Sequence, residues 1–558
     1  MKLSTLIMIL AICTTGLSAQ FAGGSGKLYD PYQVLTVDHL ALISSYRDAH
    51  FVQLVDLDIS LSPYATGAGW IPIGSVNEPF TGSYNGDGFQ ISNLMINRMA
   101  ARQGMFGFAE NASFQNINLR DVDITGSNMI GALLGRGEYC QVINCSVNGR
   151  IHGLDCIGAM IGDAWFSLIH TCTVDLAIQG NEAVGGISGW AYNTKIRGCS
   201  SHFSQSSALY GLGGIAGYCF NGTEISGCTF SGQLYCGGSG CGGIAAEAHF
   251  TTIEDCQVLS GTMLTGGGAG GILGKGEVSV QIINCHSHLS IRGLVTAGGL
   301  AGWLGGYSSI ETSFSTGDVE GYYYIGGLVG SISYSSAIDC YATGNVDGYQ
   351  YVGGFLGSMS SNGVLIRNCY SIGAVTAGDS TTSGGFVGLG YANQAVSCYW
   401  NTETSGWDQS PAGEGRTTQE MIFPYGNETY TDWDFSRIWS HDLTHQNGGY
   451  PYLQFGVTPV QEQLEQVPPA PVMFASPNPF KKELRIKLNS PIESHDAYLK
   501  VYDIRGRKIN CLKVHKGSSD LVWDGKDGAR KTCPSGIYIL SLETNGTRGK
   551  AIKVTLLR

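Results

Sequence analysis

Apolar positions along this chain come in a short, recurring phrase rather than in helical stripes. It first reads Gly104-Met-Phe-Gly107, Gly131-Ala-Leu-Leu-Gly135, Gly158-Ala-Met-Ile-Gly162 and Gly185-Gly-Ile-Ser-Gly189. It continues as Gly213-Gly-Ile-Ala-Gly217, Gly242-Gly-Ile-Ala-Ala246 and Gly270-Gly-Ile-Leu-Gly274. Gly298-Gly-Leu-Ala-Gly302, Gly326-Gly-Leu-Val-Gly330, Gly353-Gly-Phe-Leu-Gly357 and Gly384-Gly-Phe-Val-Gly388 complete the series. Successive first glycines lie 27 to 31 residues apart. A second phrase falls between the copies, as in Ile143-Asn-Cys145, Ile225-Ser-Gly-Cys228, Ile283-Asn-Cys285 and Ile366-Arg-Asn-Cys369. Each phrase supplies a short strand with small or apolar residues facing inward. A unit of about 28 residues with two or three short strands and no 3.6-residue period predicts a β-solenoid rung. Rungs stack at about 4.8 Å, so eleven make a rod roughly 50 Å long. The glycines are expected at rung corners, where φ is positive or two backbones approach closely.

The flanking segments break this pattern. Residues 1–19 order a positive start, an apolar run and a small polar stretch, as a secretory signal peptide does. Residues 20–100 are expected to cap the solenoid, with a short helix near Leu35 to Ser45 started by Thr36 or Asp38. Repeats fill 101–400, and an aromatic-rich cap follows over 401–456. Residues 457–475 hold several prolines and read as a semi-rigid linker. In 476–558, alternation in Leu484 to Leu488, Leu499 to Tyr502 and Ile537 to Leu542 predicts a small β-sandwich, with turns at Asp503 to Gly506 and Trp523 to Gly528.

Composition sharpens this reading. Of 558 residues 82 are glycine, about twice the usual share, and only 14% are charged. Low charge with 43% hydrophobic residues excludes a disordered chain. The net charge of −12 is uneven: 476–558 carries 17 basic and 8 acidic residues, leaving 15 basic and 36 acidic before it. An acidic body excludes nucleic acid as a partner, because phosphate binding needs clustered cations. No apolar run after the signal is long enough to span a membrane, so no transmembrane span is expected in the mature chain.

Nine cysteines recur at one place in the repeat: Cys145, Cys172, Cys199, Cys228, Cys256, Cys285, Cys340, Cys369 and Cys398. Phe314 is expected at that place in the repeat lacking cysteine, which marks the position as apolar and interior. The nine then read as a buried thiol ladder, with cysteine acting as a small hydrophobe. Disulfides suit an exported chain; Cys511 and Cys533 flank two predicted strands and form a candidate pair, and the off-ladder Cys140, Cys156, Cys219, Cys236 and Cys241 are others.

Catalytic and metal motifs are missing, so no catalytic residue, metal or cofactor is assigned. His441-Asp-Leu-Thr-His445 mimics a zinc motif, but that motif needs a helix, and Gly448, Gly449 and Pro451 follow at once. Asp524, Lys526 and Asp527 read as turn residues. Asp56/Asp58 and Asp121/Asp123 read as solvated faces or turns. The best binding candidates are aromatic: Tyr322, Tyr323 and Tyr324 lie one period before Tyr349 and Tyr351, and exposed rings there would suit sugars or a partner protein. Trp165, Trp190 and Trp303 are expected near rung corners.

The repeats resemble GLUG repeats of bacterial surface and secreted proteins, and Phe21 to Gly26, Asp30 to Thr36, Gly69 to Gly74 and Phe80 to Ile91 resemble the leader that precedes them. The likeness covers about 21–456 and implies a right-handed parallel β-helix at the cell surface. The C-terminal block resembles type IX secretion sorting domains through Pro477-Asn-Pro-Phe480, Val501 to Gly506, Gly536-Ile-Tyr538 and Lys553 to Leu557. It also resembles the immunoglobulin-like domain of the flagellar hook-capping protein, which Trp523 to Gly528 favours. The expectation is therefore all-β: a solenoid followed by an immunoglobulin-like sandwich. The sorting resemblance implies the export machinery as a partner. The expected function is a non-catalytic, adhesin-like rod for an extracellular glycan or a host or cell-surface protein. A polysaccharide lyase or hydrolase on a β-helix, and a structural spacer, are the alternatives.

Overall fold

Eleven near-identical phrases demand eleven near-identical backbones, and the rung at 134–158 shows the plan. Leu134–Glu138 forms a first face, Gln141–Ile143 a second, and Ser146–His152 with Asp155–Gly158 a third. The computed structural model describes residues 21–61, 63–361, 363–454, 473–476, 479–488, 497–503, 507–544, 547–548 and 552–557. The signal peptide expected at 1–19 lies outside the described residues, as does most of the linker expected at 457–475. The first face stacks eleven parallel strands, the second fourteen, and the third twenty-six short segments. Register is kept from rung to rung, so Val142 lies on Ile169, Ile169 on Ile196, and Ile196 on Ile225, all fully buried. No rung buries this column alone; stacking completes it.

The phrase glycines resolve the two expected causes. None among the described residues has positive φ. A Cβ on Gly158 would sit 2.5 Å from Ser188 Cα, and one on Gly131 would sit 2.3 Å from the Leu134 carbonyl oxygen. Close backbone approach is therefore the reason for glycine. Left-handed backbone falls instead just before the thiol ladder, at Asn144, Thr171, Asp255, Asn284, Asp339 and Asn368, with φ of 51–54°. Asn and Asp tolerate that region best, and they link rungs: Asn144 donates to Asn116 at 2.7 Å and Asn368 to Asp339 at 3.0 Å.

The N-terminal segment does more than cap. Tyr32–Val34, His50–Gln53 and Ser83–Asn85 already pair in the second face, making incomplete rungs. The expected helix is present at Val37–Leu42, with Thr36 accepting from the His39 amide at 3.1 Å. At the other end, the segment after Asn401 folds back along the flank of the rungs rather than sitting only on the last one. Met421, Tyr430, Trp433, Trp439, Tyr450 and Leu453 bury against Phe314, Tyr341, Tyr370 and Tyr399. Buried polar ties fix this cover. Trp439 Nε1 donates to Asp339 at 3.1 Å, and Tyr370 donates to the Pro451 carbonyl at 2.7 Å.

The C-terminal unit has its own core. One antiparallel sheet contains Met473–Ser476, Leu484–Leu488 and Asp520–Trp523. A second is built on Lys508–Val514, Ala497–Asp503 and Gly536–Thr544, with Thr547–Arg548 and Ile552–Leu556 pairing to the last. Phe480, Leu484, Ile486, Leu499, Val501, Trp523, Leu540 and Val554 fill the shared core. The sheet begins at Met473, three residues before the expected domain start. Asp524 and Asp527 accept from backbone amides of their own turn, as expected.

Candidate functional site

Two phrases of the third face bring the predicted tyrosines together. Val319–Gly326 carries Tyr322, Tyr323 and Tyr324, and the next rung carries Tyr349 and Tyr351. Tyr322 stacks on Tyr349 with centroids 4.8 Å apart and planes 10° apart, and Tyr324 on Tyr351 with the same values. Tyr323 meets Tyr322 edge-on at 4.5 Å. Tyr322 and Tyr349 are 44% and 45% exposed, while Tyr324 and Tyr351 are half-buried. Tyr324 and Tyr351 adopt positive φ, 58° and 59°, at a position shared by Met129, Cys156 and Ala183. Both rings stay half-buried at this position and do not enter the core.

The first face holds a second aromatic group that sequence reading placed at corners. Trp165, Trp190 and Trp303 lie on its strands and point outward. Trp165 stacks on Tyr192 at 4.5 Å, Trp190 packs on Phe220 at 4.7 Å, and Phe220 stacks on His249 at 4.9 Å. The Arg136 guanidinium lies 5.0 Å over the Trp165 ring and pairs with Asp163 at 3.1 Å. Burial pushes the Asp163 carboxyl above the usual carboxylate range. His249 Nε2 lies 2.9 Å from Glu247 and 3.6 Å from Glu277, whose carboxylate also pairs with Lys275. Lys275 holds Glu277 below its ordinary range. The ligand atoms of Glu247, His249 and Glu277 lie within 4.8 Å of one another, so this trio could hold a cation once Lys275 turned away. Glu247 and His249 share one strand, and only rung register brings Glu277, about one period later, beside them.

The thiol ladder is present and buried, with one correction. Glu311 lies opposite Ile283 and Phe314 opposite His286, so the residue opposite Cys285 is Ser313, not Phe314. Ser313 Oγ accepts from the Cys285 amide at 3.0 Å. Cys228 and Cys285 sulfurs accept similarly from the Cys199 and Cys256 amides at 3.4 Å. The ladder therefore wants a small side chain that also satisfies a corner amide. Burial pushes the Cys145, Cys256 and Cys369 thiols well above their ordinary range. A parallel ladder at the preceding corner escaped sequence reading. Ser167, Thr194 and Ser308 accept from the Cys140, Ser167 and Val280 amides at 3.0, 3.3 and 2.9 Å.

The expected disulfides do not form. Cys511 is exposed and Cys533 is buried in the core of its unit, and no disulfide joins them. No disulfide occurs among the off-ladder candidates Cys140, Cys156, Cys219, Cys236 and Cys241 either. No helix forms at His441 to His445. Asp442 is buried and accepts from the amides of Gln446, Asn447 and Gly449 at 2.6–2.8 Å, which makes it a loop anchor. Asp58 accepts from Ser60 and Asn93, and Asp123 pairs with Arg150 at 2.7 Å. Among the described residues no helix is long and apolar enough to cross a membrane.

Comparison with known proteins bears on both units. The GLUG motif matches residues 321–347, which include Tyr322, Tyr323 and Tyr324. The secretion system C-terminal sorting domain matches 475–555. The chain is similar to a protein of Evansella cellulosilytica described as a Gly-rich membrane protein, 35% identical over 137 residues, covering 23% of this chain and 16% of that protein. It is also similar to halomucin of Haloquadratum walsbyi, 32% identical over 141 residues, covering 24% of this chain and 2% of halomucin. The chain thus spans only a small part of either relative. Among solved structures, PorZ of Porphyromonas gingivalis, a surface component of the type IX secretion system, aligns at 17% identity over 15% of this chain and 11% of its own, with TM-score 0.13. A structure described as an immunoglobulin A1 protease from Bacteroides ovatus aligns at 15% identity over 78% and 95%, with TM-score 0.25. At these scores neither establishes a shared fold. The sorting domain marks a secreted or cell-surface protein and implies contact with the secretion machinery.

Proposed function

We propose that this GLUG-repeat protein, secreted or displayed at the cell surface under a type IX sorting domain, is an adhesin-like binding rod without catalysis. Its solenoid takes glycan or protein partners on ordered aromatic rings. The carrying observation is the exposed, parallel Tyr322–Tyr349 pair beside Tyr324–Tyr351. Rings held on a rigid sheet lose little freedom on binding and offer flat apolar faces with a polar edge. The third face supports this reading, since it repeats its outward positions every rung. The test is a glycan array with the full chain, read beside turnover of the same glycans. Binding without turnover that falls at least tenfold in Tyr322→Ala/Tyr349→Ala supports the rod as a binder. Neither binding nor turnover leaves a structural spacer.

A second reading rests on Glu247, His249 and Glu277, gathered beside the first-face aromatics. Two carboxylates beside aromatic side chains are the residue types a polysaccharide hydrolase uses. Turnover lost in Glu247→Gln would establish it over the first.

A further inference from the structure

The third face also forms an open trough over rungs that the tyrosines do not reach. Two outward columns run along it, kept in register rung by rung. One is Met95, Asp123, Arg150, Ala177, Gln205 and Gln233, and the other is Asn97, Thr125, His152, Gln179, Ser207 and Tyr235. The trough has a volume of about 740 Å³. Six rungs at about 4.8 Å spacing make it roughly 24 Å long.

Its chemistry is narrow. The two ionised groups, Asp123 and Arg150, neutralise each other through two hydrogen bonds of 2.8 and 2.7 Å. The rest of the lining offers amides, hydroxyls, an imidazole and one phenol, with the apolar side chains of Met95 and Ala177 between them. His152, Gln179 and Gln205 are exposed, and their side chains make no hydrogen bond among the described residues. Gln233 accepts from the Tyr235 hydroxyl at 3.1 Å, which steadies a 42% exposed ring. An anionic polymer would need unpaired cations, which this lining lacks. A peptide strand would need an open sheet edge, whereas the inner strands here are paired on both sides. Donors and acceptors without charge, repeated at a fixed spacing beside one exposed aromatic ring, match a chain of hydroxyl-bearing rings.

We propose that this trough binds an uncharged polysaccharide along the solenoid axis, with His152, Gln179, Gln205 and Gln233 hydrogen-bonding its hydroxyls and Tyr235 stacking on one ring. The assignment rests on the glycan-binding reading above and places a separate contact on other rungs. It is tested by electrophoresis of the full chain through gels containing dextran, mannan, xylan or mixed-linkage glucan, with polygalacturonate as the acidic polymer. At least one neutral polymer is expected to retard the protein, and polygalacturonate is not. Gln179→Ala/Gln205→Ala/Gln233→Ala is expected to weaken that retardation at least tenfold with an unchanged melting profile. Gln205→Arg, a single surface change, is expected to weaken it at least threefold, and Asp175→Ala, outside the trough, is the control. Unchanged retardation in both trough variants overturns the assignment; its loss in Tyr322→Ala/Tyr349→Ala would then keep the glycan reading alone. Retardation by polygalacturonate only overturns the neutral ligand. No retardation by any polymer overturns both the trough and the glycan reading.

Discussion

One register column holds Ser146, Thr173, Ser200, Thr229 and Gln257 in the N-terminal rungs, but Phe314, Tyr341, Tyr370 and Tyr399 in the C-terminal ones, with His286 at the join. The backbone is the same strand of the same face throughout. What differs is the outside. The polar half faces water, while the aromatic half lies under the folded-back segment that ends at Leu453. Once covered, the column becomes a continuous stack: His286 on Phe314 at 4.9 Å, Phe314 on Tyr341 at 4.6 Å, and Tyr341 on Tyr370 at 5.1 Å, with planes within 5°. A rung position is therefore neither core nor surface by its backbone. The neighbour outside decides, because burying a ring gains apolar contact only if something dry lies over it.

This comparison can be broken most strongly at Tyr370. Tyr370→Ala should cost roughly 3–5 kcal/mol, read as faster amide hydrogen exchange across 421–453. Thr173→Ala, the same position in the uncovered half, should change its own rung by less than about 0.5 kcal/mol. Equal effects would sink the idea that the cover makes the difference. Next comes the polar tie. Trp439→Phe keeps the packing but removes the indole donor to buried Asp339, and should open the cover by about 1–3 kcal/mol in the same exchange measurement.

His286 offers a pH test at the join. Burial, with a smaller contribution from His288, holds its imidazole down to about 4 from an ordinary 6.5. The unfolded chain then takes the proton first as pH falls. The stability of the neutral stacked ring is complete above about 6.5 and is lost progressively toward 4, on the order of 1 kcal/mol. His286→Phe should flatten the melting temperature over that range; an unchanged slope would count against a half-buried neutral ring. The smallest effect is expected at Ser313→Cys, which restores the ladder. It should shift stability by less than about 0.5 kcal/mol, because either side chain fits and accepts from the Cys285 amide. A loss of several kcal/mol would show that the corner requires a hydroxyl.

Period made most of the fold legible. A glycine phrase every 27 to 31 residues and a phrase of Ile followed two or three residues later by Cys between copies located the strands, the core column and the thiol ladder. The tyrosine pairs followed as well, since residues one period apart must stack. Phe314 was misplaced by one residue, because a lone aromatic near a missing cysteine looks like its substitute until register pairs it with His286. The Ser and Thr ladder at the other corner went unseen, since single hydroxyl residues without a shared neighbour leave no phrase to count.

By itself the sequence determined the rung, its length, its stacking and the export address at the C-terminus, because each is a local pattern repeated or self-contained. Tertiary structure alone decided which outward positions face water. It folded the aromatic segment back over four rungs, gathered Glu247, His249 and Glu277 on one face, and aligned the amides of the trough. The physical reason is that stacking converts separations of about 28 residues into contacts of about 5 Å, and the chemistry of a column exists only once its rungs are in register.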